Sequence, residues 1–367
     1  MSKYYTIIGM AKTRRIRLGK IEIGGGAPVS VQTMCDTDTR NVEATVAQIS
    51  RCMDLGCDIV RLAVPDMEAA EALSAIKKRL PDVPLVADIH FDWRLALASI
   101  QAGIDGLRIN PGNIGDASRV REIVRAANGH GIPIRVGVNG GSLEKPLLAK
   151  YGTATPEALV ESALGHVKIL EDEGCEAIKI SVKASDVQRT VAAYRLLSER
   201  TSWPLHLGVT EAGTFLAGTV RSCVALGRLL ADGIGDTIRV SLTDAPEQEV
   251  RVGVELLRAS GLRAPGPHVT SCPTCGRTRV DVAGVAKRVE DALEKHMREH
   301  PGVRCPHVAV MGCTVNGPGE ARDADIAVAG VDGCFALYLR GELLRTVPEA
   351  EAVAAILALV GDFNARR

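Results

Sequence analysis

Three cysteines in the last quarter of this 367-residue chain have types and spacing suited to metal chemistry. The segment T-S-C-P-T-C-G over residues 270–276 sets Cys272 and Cys275 in a C-x-x-C pair, and V-A-V-M-G-C-T-V-N-G-P-G-E-A over 308–321 supplies Cys313 and Glu320. A tight turn with proline lets two thiolates face one metal centre, and the N-G-P-G turn at 316–319 can swing Glu320 back towards Cys313. Three thiolates suit three irons of a four-iron cluster. The fourth iron then needs another ligand, for which Glu320 is the nearest candidate, and a carboxylate there yields to substrate more readily than a thiolate. The spacing leaves alternatives open. A structural zinc site could draw on Cys272, Cys275 and two of Cys305, His307 and Cys313. A thioredoxin-type redox pair lacks the surrounding pattern of that fold, and unligated cysteines are the plainest reading. Cys35, Cys52, Cys57, Cys175, Cys223 and Cys334 read as core residues.

A second chemical signal lies upstream, in charges placed where strands should be apolar. Eight short β-branched runs recur at 29–34, 58–64, 84–89, 106–110, 132–138, 177–182, 204–209 and 237–242. Parallel strands buried on both faces are nearly all hydrophobic, yet five of these carry a cation in or at the end of the run: Arg61, Arg108, Arg135, Lys183 and Arg239. Asp88, His90, Asn110, Asn139, His206, Glu211 and Ser241 stand near them. A buried charge needs a partner. At the C-terminal ends of barrel strands these groups converge on one mouth, where clustered cations suit a phosphorylated ligand and arginine suits bidentate phosphate contacts. Structural ion pairs are the alternative for each cation taken singly, and His90 and His206 could equally be hydrogen-bonded structural residues.

The elements that must position these groups follow from periodicity. Between the runs lie amphipathic patterns such as 42–49, with apolar residues three and four apart. Gly56, Gly103, Gly131, Gly174 and Gly233 stand where helices end before the next strand. Eight β–α units in about 250 residues fit a (β/α)₈ TIM barrel. A doubly wound sheet is the rival, but no G-x-G-x-x-G follows the first run. The Pro/Gly-rich stretch 261–267 reads as a linker, dividing residues 1–262, a substrate-binding barrel, from 263–367, a small α+β domain with helices near 285–300 and 349–359.

Composition bounds the function class. Hydrophobic residues make up 46% and charged residues 24%, and 44 Lys+Arg balance 44 Asp+Glu. Zero net charge gives no electrostatic footprint for nucleic acid or a membrane surface. No signal peptide or apolar run of about 18 residues is evident, so the expected location is cytoplasmic, where ten cysteines are not expected to form disulfides.

With these motifs in hand, the chain resembles the hydroxymethylbutenyl diphosphate synthase family, the iron–sulfur enzymes of the non-mevalonate (methylerythritol phosphate) isoprenoid pathway. The likeness runs from G-G-A-P at 25–28 into the C-terminal domain. It is most specific at V-A-D-I-H-F-D (86–92), L-R-I-N-P-G-N-I-G (107–115), S-V-K-A-S-D (181–186), H-L-G-V-T-E-A-G (206–213), G-I-G-D-T-I-R-V-S (233–241) and the two cysteine segments. The resemblance implies a barrel joined to a cluster domain, in the shorter bacterial form. It implies a [4Fe–4S] cluster on Cys272, Cys275, Cys313 and Glu320. The implied reaction is reductive ring opening and dehydroxylation of 2-C-methyl-D-erythritol 2,4-cyclodiphosphate to (E)-4-hydroxy-3-methylbut-2-enyl diphosphate, within a head-to-tail homodimer. On that reading Arg61, Arg108, Arg135, Lys183, Asn139 and Ser241 hold the diphosphate, and Glu211 gives a proton to the departing hydroxyl. Flavodoxin, ferredoxin or a reductase-coupled donor supplies the electrons. Cys305 is expected to be a bystander.

Overall fold

A computed structural model describes residues 13–300, 303, 305–315, 319 and 322–365. They fall into two compact units that part after Arg263. The first opens with a small antiparallel hairpin, β1 (Ile16–Leu18) and β2 (Ile21–Ile23). Eight parallel strands follow: β3 (Ser30–Met34), β4 (Ile59–Ala63), β5 (Leu85–Asp88), β6 (Gly106–Ile109), β7 (Ile134–Asn139), β8 (Ile178–Lys183), β9 (His206–Leu207) and β10 (Thr237–Ile238). Their order is β8-β7-β6-β5-β4-β3-β10-β9. A parallel bridge between Ile180 and Leu205 joins β8 to β9, so the sheet closes on itself. All eight runs are therefore barrel strands.

The last two strands are shorter than their runs, with two regular residues each where six were expected. Basic side chains crowd the strands from inside the barrel at two glycines. A Cβ on Gly208 would lie 2.5 Å from Lys183 Nζ, and one on Gly137 would lie 3.0 Å from Arg108 Nε. Only a residue without a side chain leaves room for those cations.

Helices return the chain from each strand to the next, and their starts are capped as the sequence suggests. Asp66, Asp92, Asp116, Thr155 and Asp186 each accept a backbone N–H of the first turn, satisfying groups the helix cannot. The five predicted helix-ending glycines all have positive φ, between 64° and 91°. Ile, Val and Leu from strands and helices form one continuous core. Among the described residues no helix is long and apolar enough to cross a membrane.

The second unit is a five-stranded mixed sheet: β11 (His268–Ser271), β12 (His307–Met311), β13 (Ile326–Val331), β14 (Cys334–Leu339) and β15 (Glu342–Pro348), in that order. The first three strands are parallel and the last two run antiparallel. Helices Val282–Glu299 and Ala352–Ala365 pack on it, burying Val285, Val289 and Ile356 against Val308, Val310 and Phe335. The first matches its predicted bounds to within a turn, whereas the second starts three residues and ends six residues later than predicted.

Candidate active site

The strand register explains how the cations meet. Asp88 on β5 pairs with Arg108 on β6, Arg108 with Arg135 on β7, and Arg135 with Lys179 on β8. Side chains two apart share a strand face, so Lys179, Ser181 and Lys183 form one row. Arg108, Arg135 and Lys183 are all under a tenth exposed.

Asp88 organises one side. Its carboxylate is 3.2 Å from Arg108 Nη1 and 3.7 Å from Arg61 Nε. His90 stands at the rim, more than half exposed, 3.4 Å from Asp88 and 3.1 Å from Arg108 Nη1. Burial would raise the Asp88 carboxyl, but Arg61, the His90 hydrogen bond and Arg108 outweigh it and hold it below the usual carboxylate range. Arg61 also rests on Met34 Sδ at 3.0 and 2.7 Å, a weak acceptor that leaves the guanidinium poorly satisfied. Across the barrel, Glu249 accepts from Arg239 at 3.2 Å through both oxygens, and is itself held by Thr33 and the Leu242 amide.

Arg135 is the least compensated group. Its Nη1 donates to Ser181 Oγ at 3.0 Å, while Nε and Nη2, like Arg108 Nε, are buried without a partner among the described residues. Burial, then repulsion from Arg61 and Arg108, pushes its guanidinium well below the ordinary value. Among the described residues these five basic side chains have only Asp88 and Glu249 as carboxylate partners, and burial, then Arg135 and Arg239, pushes the Lys183 amine well below its ordinary value. Such an arrangement is costly unless an anion completes it.

Several predicted contacts have other partners. His206 is fully buried, with Nδ1 2.8 Å from Thr237 Oγ1 and Nε2 3.4 Å from Lys183 Nζ. Burial and the neighbouring Lys183 push its imidazole well below the ordinary value, so it is neutral. It stands against Lys183, in the hydrogen-bonded structural setting that the sequence left open for it. Asn110 caps the short helix Pro111–Ile114, accepting from the Gly112 amide at 3.2 Å. Asn139 ends β7 in register with Lys183. Ser241 is half-buried past β10. Glu211 is exposed and has φ of 52°, a left-handed conformation that costs a non-glycine residue about 1–3 kcal/mol and gathers at functional sites. Sequence reasoning passed over Lys179, Met34 and Glu249. The signal for Lys179 was its spacing of four from Lys183.

In the second unit, Cys272 follows β11 and Cys313 follows β12, and both lie with Cys275 around one cavity of about 130 Å³. Thr274, at φ 59°, makes the left-handed turn of the C-P-T-C loop, and the Gly312 amide donates to Cys272 Sγ at 3.2 Å. Amide donors to sulfur and three convergent thiols suit an iron–sulfur cluster. The cavity is about tenfold larger than one water-sized sphere. A zinc ion would instead need a closed tetrahedron, and among the described residues no three His, Cys, Asp or Glu groups could hold one ion. His307, moreover, begins β12 whereas Cys313 follows its end, roughly 20 Å away along an extended strand, so those two cannot share one ion. Glu320 lies outside the described residues. Cys35, Cys52, Cys57 and Cys175 are buried, as expected of core residues, whereas Cys223 and Cys334 are only half-buried. Burial raises the Cys52 thiol to about 12 and the Cys175 thiol to about 11, so both stay protonated.

Residues 13–254 match a family model described as the GcpE TIM-barrel domain, and residues 268–362 match one described as the GcpE protein C-terminal domain. The chain is 58% identical over 360 residues to a Geobacter sulfurreducens protein named 4-hydroxy-3-methylbut-2-en-1-yl diphosphate synthase (flavodoxin), covering 97% of this chain and 99% of that one. Proteins of the same name from Maridesulfovibrio salexigens (54%, 93% of each chain) and Symbiobacterium thermophilum (52%, 96% and 94%) are similar throughout.

Proposed function

This chain belongs to the GcpE family, and from that premise we propose that its barrel mouth binds a cyclic diphosphate while its thiol pocket holds an iron–sulfur cluster. The activity is reduction of 2-C-methyl-D-erythritol 2,4-cyclodiphosphate to (E)-4-hydroxy-3-methylbut-2-enyl diphosphate in isoprenoid biosynthesis, with flavodoxin as electron donor. Two electrons and one proton enter. The bond from C2 to the diphosphate and a carbon–hydroxyl bond break, and water leaves. The diphosphate ends with three negative charges where the ring had two.

The observation that carries the reading is Arg135, a buried guanidinium whose Nε and Nη2 have no partner among the described residues, in a mouth where basic side chains outnumber their carboxylate partners. An anionic diphosphate completes those hydrogen bonds. Arg61, Arg108, Arg135 and Lys183, with Asn139 and Ser241, hold it, and Asp88, Glu249 and His206 fix the cations in place. Because the diphosphate gains charge as it leaves C2, the surplus stabilises the transition state more than the ground state. Cys272, Cys275 and Cys313 hold the cluster, assigned as [4Fe–4S], with Glu320 as fourth ligand from its sequence position. When bound, such a cluster supplies electrons one at a time.

Glu211 is the proton donor to the departing hydroxyl in this reading, supported by its strained position at the mouth. In Glu211→Gln, kcat is expected to fall about 10²–10⁴-fold with KM nearly unchanged. A rise in KM at constant kcat would reassign Glu211 to binding. The same reading has the enzyme act in the cytoplasm as a head-to-tail homodimer, which a solution mass of two chains would support. The deciding experiment is anaerobic: purified protein with the cyclodiphosphate and a chemical reductant should release the linear diphosphate, and its iron content should be about four per chain. Inactive protein holding a single zinc would overturn the assignment.

A further inference from the structure

Below the substrate-contacting arginines lies a lysine that the reaction scheme does not use. Lys179 is 2% exposed, and its Nζ has no hydrogen-bond partner among the described residues. Its backbone is in register with Arg135 on β7, and Ser181 and Lys183 follow it on the same face of β8. His206 on β9 interacts with it electrostatically, as does Asp236, just before β10. The Asp236 carboxylate is already engaged, accepting from Thr13 Oγ1 and from the Leu205 amide at 2.7 Å each. An amine in this place is shut off from bulk solvent and has no hydrogen-bonding carboxylate among the described residues, and it has a permanent cation beside it.

We propose that Lys179 is a positioning residue that takes up a proton when the anionic substrate binds above it, so that its charge appears beneath Arg135 only when an anion is there to balance it. The physical basis is linkage. Burial first, then Arg135, pushes the Lys179 amine down to about 7, against the pull of Asp236. A diphosphate bound to Arg135 neutralises the second of these causes and raises the amine. Below pH 7 the amine is charged with and without substrate, so binding moves no proton through it. Above pH 7 it is neutral in the free protein and charged in the complex, so binding draws up to one proton from solvent and weakens by up to tenfold per pH unit. Ring opening adds a negative charge, so the proton stays through the reaction and leaves with product. The positive charge then supports Arg135 against the most anionic species it meets.

The inference rests on the substrate-contact reading above, and one titration separates the two. Holoenzyme, anaerobic and without reductant, is titrated with the cyclodiphosphate in buffers of different ionisation heat from pH 6.5 to 8.5. Wild type should bind, take up protons above pH 7, and show a dissociation constant that climbs with pH. Lys179→Met and Lys179→Arg should each take up as much as one proton fewer, with a flatter pH profile. The arginine variant stays charged and should retain tight binding at pH 8.5. If wild type takes up no proton in this range, or if the folded variants take up as many as wild type, Lys179 has no such role. Failure of wild type to bind at all would sink the substrate-contact reading, and this inference with it.

Discussion

Cys313→Ser protein, purified without oxygen, is expected to be colourless, to lack most of its iron and to turn over no substrate. The serine hydroxyl does not ionise near neutral pH and is a much poorer cluster ligand than a thiolate. The loss should be chemical and not structural. Cys313 follows the end of β12, outside the apolar core formed by Val285, Val289, Val308, Val310 and Phe335. Far-ultraviolet circular dichroism should therefore match wild type while the visible iron–sulfur absorption disappears. Cys305→Ser is the control. Cys305 precedes β12, at the end away from Cys313, and its replacement should leave colour and turnover intact. A brown, active Cys313→Ser protein would sink the cluster assignment, and a colourless Cys305→Ser protein would change the ligand set.

Arg135→Met should move activity and stability in opposite directions. Losing charge-assisted contacts to a buried diphosphate costs about 2–4 kcal/mol, so kcat/KM should fall by about 30- to 1,000-fold. Stability should hold or rise, because the substitution removes a buried cation with two unpartnered nitrogens and fills its volume with an apolar side chain. It forfeits one hydrogen bond, to Ser181. A structural arginine would give the reverse pattern, losing Tm together with activity. Thermal melts of the substrate-free protein beside steady-state kinetics decide between them, and a drop in Tm of many degrees would show that the side chain holds the barrel together instead of waiting for a ligand.

This opposition reflects how the mouth is built. Arg61, Arg108 and Arg239 have carboxylate partners within 4 Å, whereas Arg135 and Lys183 have none among the described ion pairs. The fold tolerates the uncompensated pair because the continuous apolar core around the barrel supplies the stability. It also leaves specific room for the cations at Gly137 and Gly208. Those two glycines looked like ordinary strand residues in sequence, where they interrupt β-branched runs without explanation. Their reason is visible only once the neighbouring strands bring Arg108 and Lys183 alongside.

The amino-acid sequence by itself determined the eight β–α units, the division near residue 263 and the three thiols, and it marked the cations as misplaced. Each is a local signal: β-branched runs, capping aspartates, left-handed glycines after helices, and charge where a buried strand should be apolar. What it could not determine is who faces whom, because barrel closure sets the register between strands distant in sequence. Asp88 meets Arg108 from twenty residues away, Arg239 shares Glu249 with Thr33, which is over two hundred residues earlier in the chain but on the adjoining β3, and His206 lies buried against Lys183. The choice between zinc and a cluster is of the same kind. Spacing in the chain placed Cys305 and His307 as near to Cys313 as any ligand. The extended β12 holds His307 and Cys313 at opposite ends, and parallel pairing with β11 instead brings Cys272 beside Gly312. Strand direction and register are properties of the closed sheets, and they decide which side chains share a site.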